Sequence, residues 1–205
     1  MTVLRIFKHA SGLRAIFLAM CLCIAVRNGN ILYAQNTCTH GPSDCCGFYF
    51  GAGIGGGLLA LKTNGVSETS FSLSLPNLHA GWMFNSRWGA MLMQAGSIYT
   101  YAGSDRALEA FMLGGEYWFD RTWWAMAGVG MTLDASAFYT VDKLSDGEFY
   151  TGFPALTAGI SYDMWKAENS NISLQYRIFY AGINEDKVLK RSGLANQLLL
   201  IFDWY

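Results

Sequence analysis

The seven tryptophans of this 205-residue chain are grouped at four places along the sequence. Segments in which apolar and polar residues alternate run between these groups, and short polar stretches separate the segments. A β-barrel that crosses a membrane collects aromatic side chains at the two water–lipid interfaces, and turns on one side recur once per pair of strands. Four groups therefore predict eight membrane-crossing strands. The predicted aromatic girdle comprises Trp82, Trp88, Trp118, Trp123, Trp124, Trp165 and Trp204.

Residues 1–34 have the pattern of a secretory signal peptide. Arg5, Lys8 and Arg14 precede an apolar run at 15–26, and Leu32-Tyr33-Ala34 ends in a small residue suited to cleavage. The apolar run is shorter than the ~20 residues that a spanning helix requires. We therefore expect removal of this segment rather than its retention as a membrane anchor.

The rest of the chain has an apolar composition without a spanning helix. Charged residues make up only 14% of the sequence and aromatic residues 15%, yet no later apolar run reaches spanning length. In lipid, backbone groups must be paired internally, so a closed barrel is the remaining solution. The net charge of −1 gives no electrostatic case for nucleic acid. One barrel domain is predicted over 47–205.

A cysteine-containing leader is predicted at 35–46. Exported cysteines favour a disulfide, and Cys38 can pair with either Cys45 or Cys46, which leaves one thiol over. A metal site that uses His40 is disfavoured because the spacing lacks a finger-like pattern. No metal is expected.

Eight segments carry the period-2 alternation of strands, with apolar residues expected outward and small or polar residues inward. In the third segment, either Met91, Met93 and Ala95 or Ala90 and Leu92 face lipid, and the sequence leaves both options open. The predicted fold is an all-β, closed, eight-stranded antiparallel up-and-down transmembrane barrel. The segments are 47–61, 69–84, 87–101, 106–119, 123–140, 149–165, 170–183 and 193–205.

Two prolines interrupt this alternation. In the second segment, the apolar residues change from odd to even positions at Pro76-Asn77. One extra residue there would turn the apolar side chains on both sides of the proline toward lipid. Proline lacks a ladder donor and is tolerated in strands mainly at bulges. The sequence predicts a bulge at Pro76 and a similar one at Pro154.

The connections differ between the two ends of the predicted barrel. Short turns at 85–86, 120–122 and 166–169 coincide with tryptophan groups and are assigned to the periplasmic side, together with both barrel termini. The opposite connections are expected to be longer and more charged. They are placed near 62–68, 102–105, 141–148 and 184–192.

Four short stretches carry a family resemblance. These are the first strand Gly47–Gly57 (GFYFGAGIGGG), Gly114–Phe119 (GGEYWF), Ala127–Gly130 (AGVG) and the aromatic residue Tyr205. Together they resemble the small eight-stranded outer-membrane barrels of the OmpA-like and OmpX-like families. The resemblance implies the outer membrane of a double-membraned bacterium, contact with its lipid, and insertion by the barrel-assembly machinery through the C-terminal strand. Asp203 departs from the usual apolar choice in that strand. A monomer without a peptidoglycan-binding domain is expected.

The sequence favours a non-enzymatic structural or surface role, with no catalytic residue and no cofactor. Gly51, Gly53 and Gly56 match G-x-G-x-x-G, but no helical pattern follows, so a dinucleotide site is rejected. The alternatives are a lipid-modifying enzyme of the lipid A deacylase or acyltransferase type, and passage or binding of a small apolar ligand. An enzyme needs a nucleophile near a base, and His79 offers no such neighbour in sequence.

A polar network is predicted inside the barrel, at most leaving a narrow pore. Because a buried charge must be paired, Arg177 is expected to pair with Glu116, Asp134 or Asp163. The network is interpreted as a rigid plug, with a gate formed by re-partnering as the alternative. Its predicted members are Glu116, Asp134, Asp163, Gln175, Arg177 and His79, with Gln94 as a further candidate.

Overall fold

Eight antiparallel strands form a closed barrel in the computed structural model, which describes residues 47–101, 103–137, 149–185 and 189–205. Each strand pairs with the next along the chain, and the last pairs with the first, so the predicted fold class is confirmed. The signal peptide, the cysteine leader and the connection at 141–148 lie outside the described residues. Within the described ranges, no helix is long and apolar enough to cross a membrane. The strands are β1 (Gly47–Thr63), β2 (Val66–Met83), β3 (Trp88–Tyr101), β4 (Ser104–Trp118), β5 (Trp123–Ser136), β6 (Tyr150–Ala167), β7 (Ser170–Glu185) and β8 (Leu189–Trp204).

Strict alternation of exposed and buried side chains explains these strands. In β8, Leu198 and Leu200 are exposed, whereas Gln197, Leu199 and Ile201 are buried inside the barrel. The apolar face is therefore turned outward, as a lipid-embedded barrel requires. The open question in β3 is also settled, because Met91 and Met93 are buried and Leu92 is exposed.

Two proline bulges keep the apolar face outward. Leu75 and Pro76 of β2 lie opposite the single residue Ile54 of β1, between the pairs Gly53–Asn77 and Gly55–Ser74. The bulge predicted at Pro154 is present as well. There Phe153 and Pro154 of β6 lie opposite Met131 of β5. One extra residue in each strand restores the alternation.

Two connections at what we call the turn end share one local structure. The turn end comprises 84–87, 119–122 and 168–169, together with Gly47 and Tyr205. The Asn85 side chain accepts hydrogen bonds from the backbone N–H groups of Arg87 and Trp88. Asp120 accepts the equivalent bonds from Thr122 and Trp123. Such side-chain caps stabilise tight turns.

The opposite end, called here the loop end, has shorter connections than the sequence predicted at 62–68 and 102–105. Strands β1 and β2 continue to Thr63 and Val66 and leave only Asn64 and Gly65 between them. Both residues have positive φ, 50° and 91°. An Asn-Gly pair favours a two-residue hairpin turn of this kind, so the predicted longer loop was wrong there.

The barrel interior is more apolar than predicted. Met83, Met91, Met93, Met112 and Met126 are all buried inside it, in one cluster with aromatic residues. Methionine adapts to irregular space because its side chain is unbranched and flexible. The expectation that inward positions are small or polar therefore holds for only part of the lumen.

Two of the seven predicted girdle tryptophans were misplaced. Trp118 and Trp124 are each only 2% exposed and stack on each other inside the barrel, with ring centroids 5.6 Å apart. The two residues are direct cross-strand partners, and Trp124 necessarily faces inward because Trp123 faces outward. The other five are exposed, namely Trp82, Trp88, Trp123, Trp165 and Trp204.

Candidate functional site

The lumen holds three separate polar clusters rather than one network. All six residues proposed from the sequence are buried. The structure divides them between a cluster near the loop end, a middle cluster, and a group near the turn end. The further candidate Gln94 lies on the outer face of β3, on the same side as Leu92. Its side-chain amide donates a hydrogen bond to Oε2 of Glu109 at 3.1 Å.

The loop-end cluster is centred on Asp134 of β5, which is fully buried. Nε of Arg106 lies 2.8 Å from Oδ1 of Asp134, and Nη1 of Arg191 lies 2.6 Å from Oδ2. The Tyr99 hydroxyl also donates to Oδ2, at 2.8 Å. One carboxylate thus joins two guanidinium groups from β4 and β8 by charge-assisted bonds. The bond from Arg191 connects β8 to β5, which are not neighbours in the barrel.

Arg191 is held from several sides. Its Nη1 donates to the Tyr99 hydroxyl and its Nε to the Thr63 hydroxyl. Its guanidinium carbon also lies 4.3 Å from the centre of the Tyr101 ring, a cation–π geometry. The sequence reasoning missed both arginines of this cluster. The alternation of faces along each strand could have identified them, because Arg106 lies on the same face as Glu116 and Arg191 on the same face as Gln197.

The middle cluster contains Arg177, and its expected ionic partner was wrong. Nε and Nη2 of Arg177 both donate to the side-chain oxygen of Gln175, and Nη1 donates to Oδ1 of Asn77 at 2.9 Å. In the described part of the chain, Arg177 forms no ion pair with Glu116, Asp134 or Asp163. Two amide oxygens solvate the guanidinium instead, because the carboxylates lie toward the two ends.

Hydrogen bonds extend the middle cluster across the lumen. Gln175 donates to the Ser161 hydroxyl at 2.7 Å. On the other side, Asn77 donates to the backbone oxygen of Ser74, whose hydroxyl donates to the backbone oxygen of Gly96 at 2.7 Å. Gln197 donates to the same Gly96 oxygen. Residues of β2, β3, β6, β7 and β8 are therefore joined in one layer.

The turn-end group begins with His79 of β2 and Asp203 of β8. Nε2 of His79 lies 2.6 Å from Oδ1 of Asp203, and both side chains are buried. Strand β1 lies between these two strands and places Gly51 next to both residues. The unusual acidic residue in the last strand is thus an inward-facing partner for the histidine.

Both carboxylate oxygens of Asp163 in β6 accept hydrogen bonds. Its carboxylate accepts bonds from the Trp124 indole, the Asn171 amide and the Ser173 hydroxyl, at 2.9 to 3.1 Å. Nζ of Lys166 lies 3.0 Å from Oδ2. This arrangement holds the indole of Trp124 in place at the turn end of the lumen.

Glu116 differs from the other carboxylates. It is buried, and its Oε1 atom has no hydrogen-bond partner among the residues that the structure describes. The oxygen lies close to Gly89, where a Cβ would come within 2.5 Å of it. The turn-end group thus holds three buried carboxylates, whereas arginines dominate the middle and the loop end.

The chemistry available to this lumen is that of hydrogen bonding and charge pairing. No hydrogen bond joins His79 or Asp203 to a Ser, Thr or Cys side chain in the described ranges, so a nucleophile activated by the pair is not seen there. Those ranges also contain no group of His, Cys, Asp or Glu residues able to hold a metal ion.

Comparison with known proteins shows a likeness of fold. No protein-family model and no curated protein matches the chain. Among solved structures, neisserial surface protein A is 17% identical, with a TM-score of 0.50 over 75% of this chain and 95% of that one. Ail, the attachment invasion locus protein of Yersinia pestis, is 16% identical, with a TM-score of 0.46 over 76% and 98%. The chain has the fold of the small eight-stranded outer-membrane barrels, as the sequence resemblance predicted.

Proposed function

We propose that this protein is a non-enzymatic, integral β-barrel of the bacterial outer membrane, with a structural or surface role and a lumen closed to ions. The observation that carries this proposal is the middle cluster, in which Arg177, Gln175 and Asn77 bridge the lumen by direct hydrogen bonds. An eight-stranded barrel is just wide enough for side chains to fill it. The buried methionines and the Trp118–Trp124 stack fill further space.

The outer surface supports the membrane location. Large apolar side chains are exposed on every strand, for example Leu58, Leu92, Leu113 and Leu198. A soluble barrel of the lipocalin kind would place such residues inside, and exposed apolar area on this scale needs a membrane or partner. The exposed tryptophans near the turn end match an interfacial girdle.

The orientation and assembly partners are part of the proposal. With the short turns in the periplasm, both barrel termini are periplasmic and the loop end faces outside. Strand β8 presents a continuous apolar row, Leu198, Leu200, Phe202 and Trp204, toward lipid. This strand is the proposed signal for the barrel-assembly machinery, and the protein is proposed to be a monomer.

Planar-bilayer recording of the refolded chain tests the closed lumen. We expect no steady unit conductance for the wild type. Replacing Asn77, Gln175 and Arg177 together with Ala removes the bridging layer, so this variant should conduct. A matched control replaces the exposed residues Tyr176 and Ile178 of the same strand with Ala and should stay silent. Steady conductance of the wild type would contradict the proposal.

A further inference from the structure

An open groove of about 550 Å³ lies at the loop end, lined by outward-facing side chains of the barrel wall and by the buried residues Ile183 and Arg191. Its lining residues come from the ends of β1, β6, β7 and β8 and from the Asn64-Gly65 turn. Two lysines, Lys62 and Lys190, line its polar part, and Phe153 and Tyr180 line its apolar part. All four side chains point away from the lumen and are exposed, and Phe153 is 71% exposed. The groove therefore combines positive charge with an apolar surface.

The two lysines lie close together at the loop end. Lys62 of β1 pairs directly with Ser192 of β8, and Lys190 is the next outward position along β8. Diagonal neighbours of this kind lie roughly 7–8 Å apart, within reach of one small anion. Neither ammonium forms an ion pair with another side chain in the described ranges.

A glycine keeps the groove open beside the lysines. Gly182 of β7 lines it, and a Cβ at this position would lie 3.1 Å from the Tyr180 hydroxyl. The Tyr180 ring therefore extends along the wall past Gly182, with its hydroxyl toward the polar part. Arg191 also lines the groove, but its guanidinium is bonded to Asp134 inside the barrel.

We propose that this groove binds the phosphate group of an anionic lipid in the leaflet that surrounds the loop end. Lys62 and Lys190 contact the phosphate, the Ser192 and Tyr180 hydroxyls are placed to donate to it, and the acyl chains lie along Phe153. Lysine is a common point-charge ligand of phosphate, and an apolar surface in the same groove as two lysines fits an amphiphile rather than a soluble anion. This inference rests on the proposed membrane location.

Native mass spectrometry of the detergent-solubilised chain tests the proposal with phosphatidylglycerol and phosphatidylcholine as probes. The wild type should retain phosphatidylglycerol preferentially. A variant with Lys62→Gln and Lys190→Gln should bind phosphatidylglycerol about ten-fold more weakly, because each basic residue near an anionic surface contributes to attraction. Its binding of phosphatidylcholine should not change. Arg87→Gln, which removes an exposed charge at the turn end, is the matched control and should behave as wild type.

Three results would overturn the proposal. These are equal retention of the two lipids by the wild type, an equal loss in the Arg87 control, and complete displacement of phosphatidylglycerol by inorganic phosphate, which would identify a site for free anions. Insertion into phosphatidylcholine vesicles is measured separately by heat-modifiable migration and protease protection. A chain that inserts normally but shows no lipid preference refutes the groove alone, whereas a chain that does not insert refutes the membrane location.

Discussion

Nε2 of His79 and Oδ1 of Asp203 lie 2.6 Å apart, and they meet over the bare backbone of Gly51. A Cβ at position 51 would lie 2.0 Å from the Asp203 oxygen and 2.5 Å from the His79 ring. Because Gly51 of β1 has no side chain, the histidine of β2 and the aspartate of β8 can meet inside the barrel. The pair therefore depends on the pairing register of β1 with both β2 and β8, which places Gly51 opposite His79 and Asp203.

Gly51→Ala should weaken the barrel by separating this pair. The added methyl group cannot fit without moving both buried partners, and a buried polar group left without its bond costs ~1–3 kcal/mol. The free energy of unfolding, measured with urea in detergent micelles, should fall accordingly. Gly115→Ala is the matched control, because its Cβ would meet only an ordinary contact at 3.5 Å. Equal stability of the two variants would contradict the role of Gly51.

Asp134→Asn should be strongly destabilising. The substitution leaves the guanidinium groups of Arg106 and Arg191 without the carboxylate that they share. Breaking a buried ion pair by removing one partner costs ~3–5 kcal/mol. The same urea titration measures this loss. Glu68→Gln, which alters an exposed carboxylate near the same end, should change stability little, and a comparable loss in that control would argue against a special role for Asp134.

Arg177→Met should be tolerated far better than Asp134→Asn. Arg177 is 2% exposed and has only neutral amide partners. Methionine fills a similar volume without the cost of burying a charge, and the neutral amide oxygens that it leaves unpaired cost less than a stranded charge. We expect a loss at least ~2 kcal/mol smaller than that of Asp134→Asn, with the lumen still silent in planar bilayers. A larger loss for Arg177→Met would show that the amide partners bind the guanidinium more strongly than argued.

The acid stability of the turn end should depend on Asp120. Hydrogen bonds from the Thr122 and Trp123 backbone N–H groups, followed by the Thr122 hydroxyl, hold the pKa of Asp120 below its usual value. A folded-state pKa below the unfolded one gives stability that is present above about pH 4 and is lost as pH falls through the folded pKa. The stability difference between wild type and Asp120→Asn should therefore shrink on acidification. Urea midpoints at about pH 6 and pH 3 measure it, and a pH-independent difference would refute the prediction.

Lipid contact should distinguish the tryptophans that face outward from the inward pair. In variants that keep one tryptophan and replace the others with Phe, lipids brominated on their acyl chains should quench Trp82 strongly and Trp124 weakly. The reason is that Trp82 is exposed on the outer wall, whereas Trp124 stacks on Trp118 inside. Trp165, which is also exposed, provides the second outward example. Equal quenching of Trp82 and Trp124 would exclude the inward placement.

Period-2 alternation was sufficient to predict the strands, their number and most of their faces. It succeeded because every strand exposes an apolar face and buries the other, which makes a one-residue shift costly along its whole length. The two proline bulges were predictable for the same reason, since parity had to be restored near Pro76 and Pro154. Trp118 and Trp124 were wrongly assigned to the outer girdle because the preference of tryptophan for membrane interfaces was given more weight than the alternation of inward and outward positions along each strand.

Contacts across the lumen were harder to predict. Arg177 was assigned a carboxylate partner, but whether two inward residues meet depends on the stagger of all eight strands, which no single strand reveals. Asn77 reaches Arg177 only because the bulge at Pro76 turns the asparagine inward. Local signals that were present were also passed over, such as Asn64-Gly65, which marks a two-residue hairpin.

The two proline bulges also give the two halves of the barrel a common local pattern. Pro76 and Pro154 occupy the second and sixth strands of eight, and each is followed at the same intervals by leucine, alanine and glycine: Leu78, Ala80 and Gly81 in one strand, Leu156, Ala158 and Gly159 in the other. The strand before each bulge carries a Gly-x-Gly sequence, at Gly51 and Gly53 and again at Gly128 and Gly130. The two four-stranded halves of the barrel thus use one local pattern to turn their apolar faces outward. His79 and Thr157 stand at equivalent places, three residues after each proline, so the histidine–aspartate pair distinguishes one half of the barrel from the other.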